Sequence, residues 1–102
     1  MIHVLATIEV VDGKRDEFLK HFNELVPQVL AEEGCIAYGP AVDLQTNLPV
    51  QPPVRPNIVT VIEQWDDLPA LEAHLMAPHM VAFRDVVKDL VVETIVGVLE
   101  PA

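Results

Sequence analysis

The stretch IVTVIEQWDDLPALEAHLMAPHM, residues Ile58 to Met80, changes its periodicity once. From Ile58 to Trp65 bulky and β-branched residues alternate, which predicts a strand. Side chains two apart on a strand point the same way, so Glu63 and Trp65 share a face. Asp66-Asp67-Leu68-Pro69 then offers an acidic cap and a proline in the first turn, which is how a helix starts. That helix is short, Pro69 to Met76. Pro78 opens a second one reaching about Leu90, with Met80, Phe83, Val87 and Leu90 on one face.

Working outward, Ile2 to Val11 alternates as another strand. Ile2, Val4, Ala6, Ile8 and Val10 face one way, and the mixed set His3, Leu5, Thr7, Glu9 and Val11 faces the other. Asp12-Gly13 is a turn. Lys14 to Glu33 carries a helical stripe of Phe18, Phe22, Leu25, Val26, Val29 and Leu30, ended by Gly34. Pro27 removes a hydrogen bond and crowds the preceding turn, so a kink or break is expected between Asn23 and Pro27. Cys35 to Leu44 reads as a strand. Gln45 to Asn57 holds Pro49, Pro52, Pro53 and Pro56 and reads as a loop without regular helix. Val91 to Leu99 is the last strand. The order strand, helix, strand, strand, split helix, strand is the ferredoxin-like βαββαβ pattern of an α+β protein. A single domain over residues 1–102 is expected, with an antiparallel sheet covered by helices on one face. Apolar residues on the uncovered face predict that two such sheets meet in a dimer.

The net charge of -10, from 16 acidic and 6 basic residues, argues against a nucleic-acid partner. No run approaches the roughly 20 apolar residues of a membrane span. The N-terminus has no basic region or cleavage site, so a cytoplasmic protein is expected. Cys35 is the one cysteine, which leaves no intrachain disulfide and no cysteine pair for zinc. Its apolar neighbours favour an inert thiol over a nucleophile. No glycine-rich phosphate loop, nucleophile elbow or flavin fingerprint is present.

The residues that could carry chemistry are few. Glu63 is a carboxylate on a strand that buries at least one face. Its plain role is a salt bridge or backbone anchor, and its sharper role is a general base. His74 falls in a last helical turn and His79 in a first one. Either could simply cap a helix end, and their spacing of five misses the i,i+4 face of a metal motif. Trp65 and Phe83 suit a core as well as a ligand wall. Tyr38 comes from the second strand. His3 and His21 read as surface or interface residues.

At these positions the chain resembles a known family. Glu33-Gly34-Cys35-Ile36-Ala37-Tyr38 is similar to the E-x-G-C-x-x-Y segment of the antibiotic-biosynthesis-monooxygenase and quinol-monooxygenase family. Glu63-Gln64-Trp65, then Ala70-Leu71-Glu72-Ala73-His74, then Pro78-His79-Met80 is similar to its E-x-W…AL-x-x-H-x-x-x-P-H signature. The resemblance implies a homodimer whose sheets form a dimeric α+β barrel. It also implies oxygenation of a small aromatic quinol or phenol with dioxygen, without metal, flavin or haem. His74 and Glu63 would then be catalytic, and Trp65, Tyr38, His79 and Phe83 would bind substrate. Two departures stand out. The proline-rich loop is longer than in compact members. Strand 1, Val4-Leu5-Ala6-Thr7-Ile8, lacks the asparagine of a haem-degrading branch. A further branch handles a small phosphorylated molecule, for which Arg84 and Lys88 are the nearest candidates here. The rival expectations are a non-catalytic small-molecule binding module, or an isomerase or haem-binding protein on the same fold.

Overall fold

The computed structural model describes residues 1–102. Four strands, β1 (Ile2–Val10), β2 (Cys35–Ala41), β3 (Ile58–Trp65) and β4 (Val91–Leu99), alternate with helices α1 (Arg15–Leu30), α2 (Leu68–Leu75) and α3 (Pro78–Val87). The strands form one antiparallel sheet in the order β2-β3-β1-β4. This is the ferredoxin-like arrangement that the element order predicts.

The alternation in β1 and β3 decides which face is covered. Val4, Ala6, Ile8 and Val10 of β1 and Val59, Val61, Glu63 and Trp65 of β3 are buried beneath the helices. Phe18, Phe22, Leu25 and Val29 of α1 close the core from above. Asp16 and Glu17 sit in the first turn of α1, where the helix dipole favours negative charge. Asp67 caps α2 by accepting the backbone N–H of Ala70 at 3.0 Å.

Of the kink or break expected near Asn23 to Pro27, the break does not occur. The helix continues from Arg15 to Leu30, and the Pro27 carbonyl accepts from the N–H of Ala31 at 3.2 Å. Proline costs the helix one bond near its end, while buried Leu25 and Val29 hold the turn on either side. Past the helix, Gly34 adopts φ +83, and a methyl on it would stand 2.6 Å from the Cβ of Ala70. The α1–β2 corner therefore packs against α2 at a point where only glycine fits.

Strand β2 ends at Ala41, three residues earlier than the pattern suggests. Asp43 leaves the ladder because it binds Arg55. The Arg55 guanidinium donates to both carboxylate oxygens at 2.8 and 3.0 Å, and the Arg55 backbone N–H adds a third bond at 2.9 Å. That hydrogen bonding holds the Asp43 carboxyl down to about 2. The proline-rich segment between them contains no helix, and none of residues 45–57 lines the main cavity.

The helix layer does not reach β4. Val96 and Val98 point to the helix side, opposite Ala6 and Val4, yet both are about half exposed. On the other side of the sheet Leu5, Ile62, Ile95 and Leu99 are exposed together. No helix is long and apolar enough to cross a membrane.

Candidate active site

Because the helices stop short of β4, a cavity of about 440 Å³ opens between the sheet and α2–α3. Its walls come from Phe18 and Phe22 of α1, Val4, Ala6 and Ile8 of β1, Val61 of β3, and Met80, Phe83 and Val87 of α3. Three polar side chains interrupt this apolar wall at its buried end: Tyr38, Glu63 and His74. Arg84 and Lys88 of α3 contribute to the outer wall.

Glu63 is only 6% exposed. One carboxyl oxygen accepts the indole N–H of Trp65 at 2.9 Å. Burial pushes the Glu63 carboxyl up to about 7; the Trp65 hydrogen bond opposes this and the nearby charge of Glu32 adds to it. A carboxyl in that range exchanges protons near neutral pH, as a general base must. Tyr38 stacks on Phe22, with ring centroids 5.5 Å apart. Burial first, then the charges of Glu63 and Glu32, raise its phenol above the ordinary tyrosine value, so it keeps its proton and can donate it in a hydrogen bond.

His74 is 2% exposed, wedged between Trp65 at 4.7 Å and Tyr38 at 5.4 Å between ring centroids. Its Nδ1 lies 2.8 Å from Oε2 of Glu32, and Nε2 of His79 lies 2.7 Å from that same oxygen. The imidazole of His74 is not a helix cap. The turn between α2 and α3 is closed by backbone, with Met76 N–H on Ala73 O and Ala77 N–H on His74 O. No buried side-chain nitrogen or oxygen lacks a partner. Nε2 of His74, the second oxygen of Glu63 and the hydroxyl of Tyr38 have no partner in the chain. Each of these atoms therefore keeps some accessible surface, and all three residues line the cavity.

The structure places part of the sequence-derived set around one cavity. Tyr38, Glu63, His74 and Phe83 line the cavity, but Trp65 and His79 do not. Trp65 is fully buried behind Glu63 and His74, and its indole N–H is spent on the carboxylate. His79 lies on the far side of Glu32, beside a smaller opening of about 190 Å³ between α1 and α3. His21 lines that opening too, and His3 lies on β1 opposite Gln64 and Leu99. Burial, followed by Glu32 and Glu63, raises the half-buried Cys35 thiol and keeps it from acting as a thiolate.

Glu32 is the residue that sequence reasoning misses. A signal for it exists: in the spacing E-x-G-C-x-x-Y, counting back from Gly34 and Cys35 puts the glutamate at Glu32 rather than Glu33. No group of three His, Cys, Asp or Glu side chains has the arrangement of a metal site.

Residues 1–86 match the antibiotic biosynthesis monooxygenase family. The chain belongs to this family. It is 40% identical over 103 residues to YgiN of Escherichia coli K12, described as a probable quinol monooxygenase, covering 99% of this chain and 98% of that one. Among solved structures, a conserved protein from Methanosarcina mazei Go1 superposes with a TM-score of 0.82 at 27% identity, over 99% of this chain and 92% of that chain. PA3566 from Pseudomonas aeruginosa gives 0.81 at 25% identity, over 99% and 93%.

Proposed function

We propose that this family member is a monooxygenase that oxidises a small aromatic quinol or phenol with dioxygen, the substrate itself supplying the electrons. The observation that carries the reading is the cavity wall. Three polar side chains, Tyr38, Glu63 and His74, stand at the buried end of a mainly apolar space of about 440 Å³ whose outer wall carries Arg84, Lys88 and Thr94, within the range of small-molecule sites. The likeness to YgiN over nearly the whole chain supports the same reaction class.

The chemistry follows from the groups. An apolar wall takes the aromatic ring, and Glu63 takes a hydroxyl proton to leave an electron-rich oxyanion. The Tyr38 hydroxyl donates a hydrogen bond to that developing charge. The oxyanion reduces dioxygen, one oxygen atom bonds to a ring carbon, and His74 supplies a proton as the O–O bond breaks. A quinol and one dioxygen thus become a hydroxyquinone and one water. The substrate loses four electrons, and the dioxygen gains them. Trp65 holds Glu63 in place without touching substrate.

The test is oxygen uptake with reduced naphthoquinols and simple phenols, corrected for autoxidation, with labelled dioxygen. The expected result is one labelled oxygen in the organic product per dioxygen consumed. An aromatic ligand that saturates the cavity without such uptake would mean a binding module instead.

The same reading includes a second copy of the chain. Leu5, Ile62, Ile95 and Leu99 form an apolar patch on a sheet face that nothing in the protomer covers. Stacking two such faces hides it and is expected to bury more than about 1,200 Å² in total. Light scattering at micromolar concentration should give twice the mass of one chain, and a stable monomer there would refute the pairing.

A further inference from the structure

We infer that Glu32 and His79 form a proton path linking His74, at the buried end of the cavity, to solvent. Its use in turnover rests on the oxygenase reading above, but its existence does not. The three side chains come from separate segments: His74 from α2, His79 from the first turn of α3, and Glu32 from the turn after α1. They meet at one atom, Oε2 of Glu32, at 2.8 and 2.7 Å. Their side chains grade outward, from 2% exposed at His74 through 13% at Glu32 to 23% at His79. At the outer end, His79 borders the smaller opening lined by His21, Glu24 and Gln28.

Each member can both accept and release a proton, which is what a path requires. An imidazole does so at two different nitrogens, and a carboxyl does so at one oxygen. The other polar contact behind the cavity fails this test. Glu63 leans on Trp65, whose indole only donates and is fully buried, so that line is closed. In the inward direction, water protonates Nδ1 of His79, and the Nε2 proton of that ring passes to Oε2 of Glu32. From Oε2 the proton passes to Nδ1 of His74, while Nε2 of His74 gives its own to the reacting oxygen in the cavity. One proton enters and one is delivered; the carboxyl group stays in place while its O–H turns from His79 toward His74, and both imidazoles end in the opposite tautomer, which is restored before the next transfer. Outward flow is the reverse. Neither Glu32 nor His79 lines the cavity. Both act through His74.

The alternative is that Glu32 and His79 only fix the His74 ring. Glutamine separates the two, because His79→Gln can still donate a hydrogen bond to Glu32 but cannot carry a proton across. Solvent exchange of the His74 Nδ1 proton, followed by NMR on the full chain, should slow by about tenfold or more in His79→Gln at an unchanged thermal midpoint. Free imidazole, entering the smaller opening in His79→Ala, should restore it. Exchange that is unchanged or faster in His79→Gln would overturn the path. Turnover is then read separately. Wild-type exchange that depends on His79, without oxygen uptake, defeats the oxygenase reading alone. Oxygen uptake with exchange indifferent to His79 defeats the path alone.

Discussion

Glu63→Gln is expected to lose turnover by roughly 10²-fold or more while gaining stability above neutral pH. The two effects have one cause. The carboxyl is buried against Trp65 and titrates at about 7, so above that pH the protein keeps a poorly solvated charge. Glutamine removes the charge, and its carbonyl oxygen can still accept the Trp65 indole N–H. It also removes the only carboxylate on the cavity wall, and with it the base.

The sign of the pH effect follows from linkage. In the unfolded chain the carboxyl titrates at 4.5, and in the folded protein it titrates higher. Between these values the folded state binds more protons, so its extra stability is full below about 4.5 and is lost as pH rises through about 7. The total is roughly 3 kcal/mol. Thermal melts of wild type and Glu63→Gln should therefore agree near pH 4 and diverge toward pH 8, with the variant melting higher. Activity moves the other way: wild-type kcat/KM should rise through pH 7 as the base ionises, and this inflection should vanish in the variant. Equal melting at pH 8 would show that Glu63 carries no costly charge, and full turnover would place the base elsewhere.

What the sequence reveals and hides here follows from the range of each interaction. Alternation in Val4 to Val10 and Val59 to Trp65 is local, and it reports correctly which strand faces lie under the helices. The cap at Asp67 and the glycine at Gly34 are equally local, although the contact of Gly34 with Ala70 is not. The helix does not break at Pro27 because packing of Leu25 and Val29 outweighs one lost hydrogen bond. Strand β4 carries apolar residues on both faces, and periodicity alone cannot show that no helix covers it. That uncovered strip is what opens the cavity. Tyr38, Glu63 and His74 stand out by residue type and resemblance. The meeting of His74 and His79 on Glu32 spans 42 and 47 residues of chain, and no local pattern encodes it. The same holds for His79, which meets Glu32 only through the fold, while Trp65 sits behind Glu63 and His74 and not on the cavity wall.

His74→Gln and His74→Ala should both bind an aromatic ligand and both lose turnover by roughly 10²-fold or more, the scale for removing a general acid or base. They should differ in stability. Alanine empties a space between Trp65 and Tyr38 and deprives Glu32 of one of its two imidazole partners. Loss of that packing and hydrogen bond is expected to cost about 2–4 kcal/mol. Glutamine fills more of the space, and its amide can donate to Glu32, so most of that stability should remain. Neither substitution should unravel the α2–α3 turn, because backbone bonds from Met76 and Ala77 close it without the imidazole. The Gln variant therefore separates chemistry from architecture. If it folds like wild type and turns over like wild type, His74 is only a tie between α2 and Glu32. If it folds, binds and fails to turn over, what it lacks is a ring that can take a proton at one nitrogen and give one at the other.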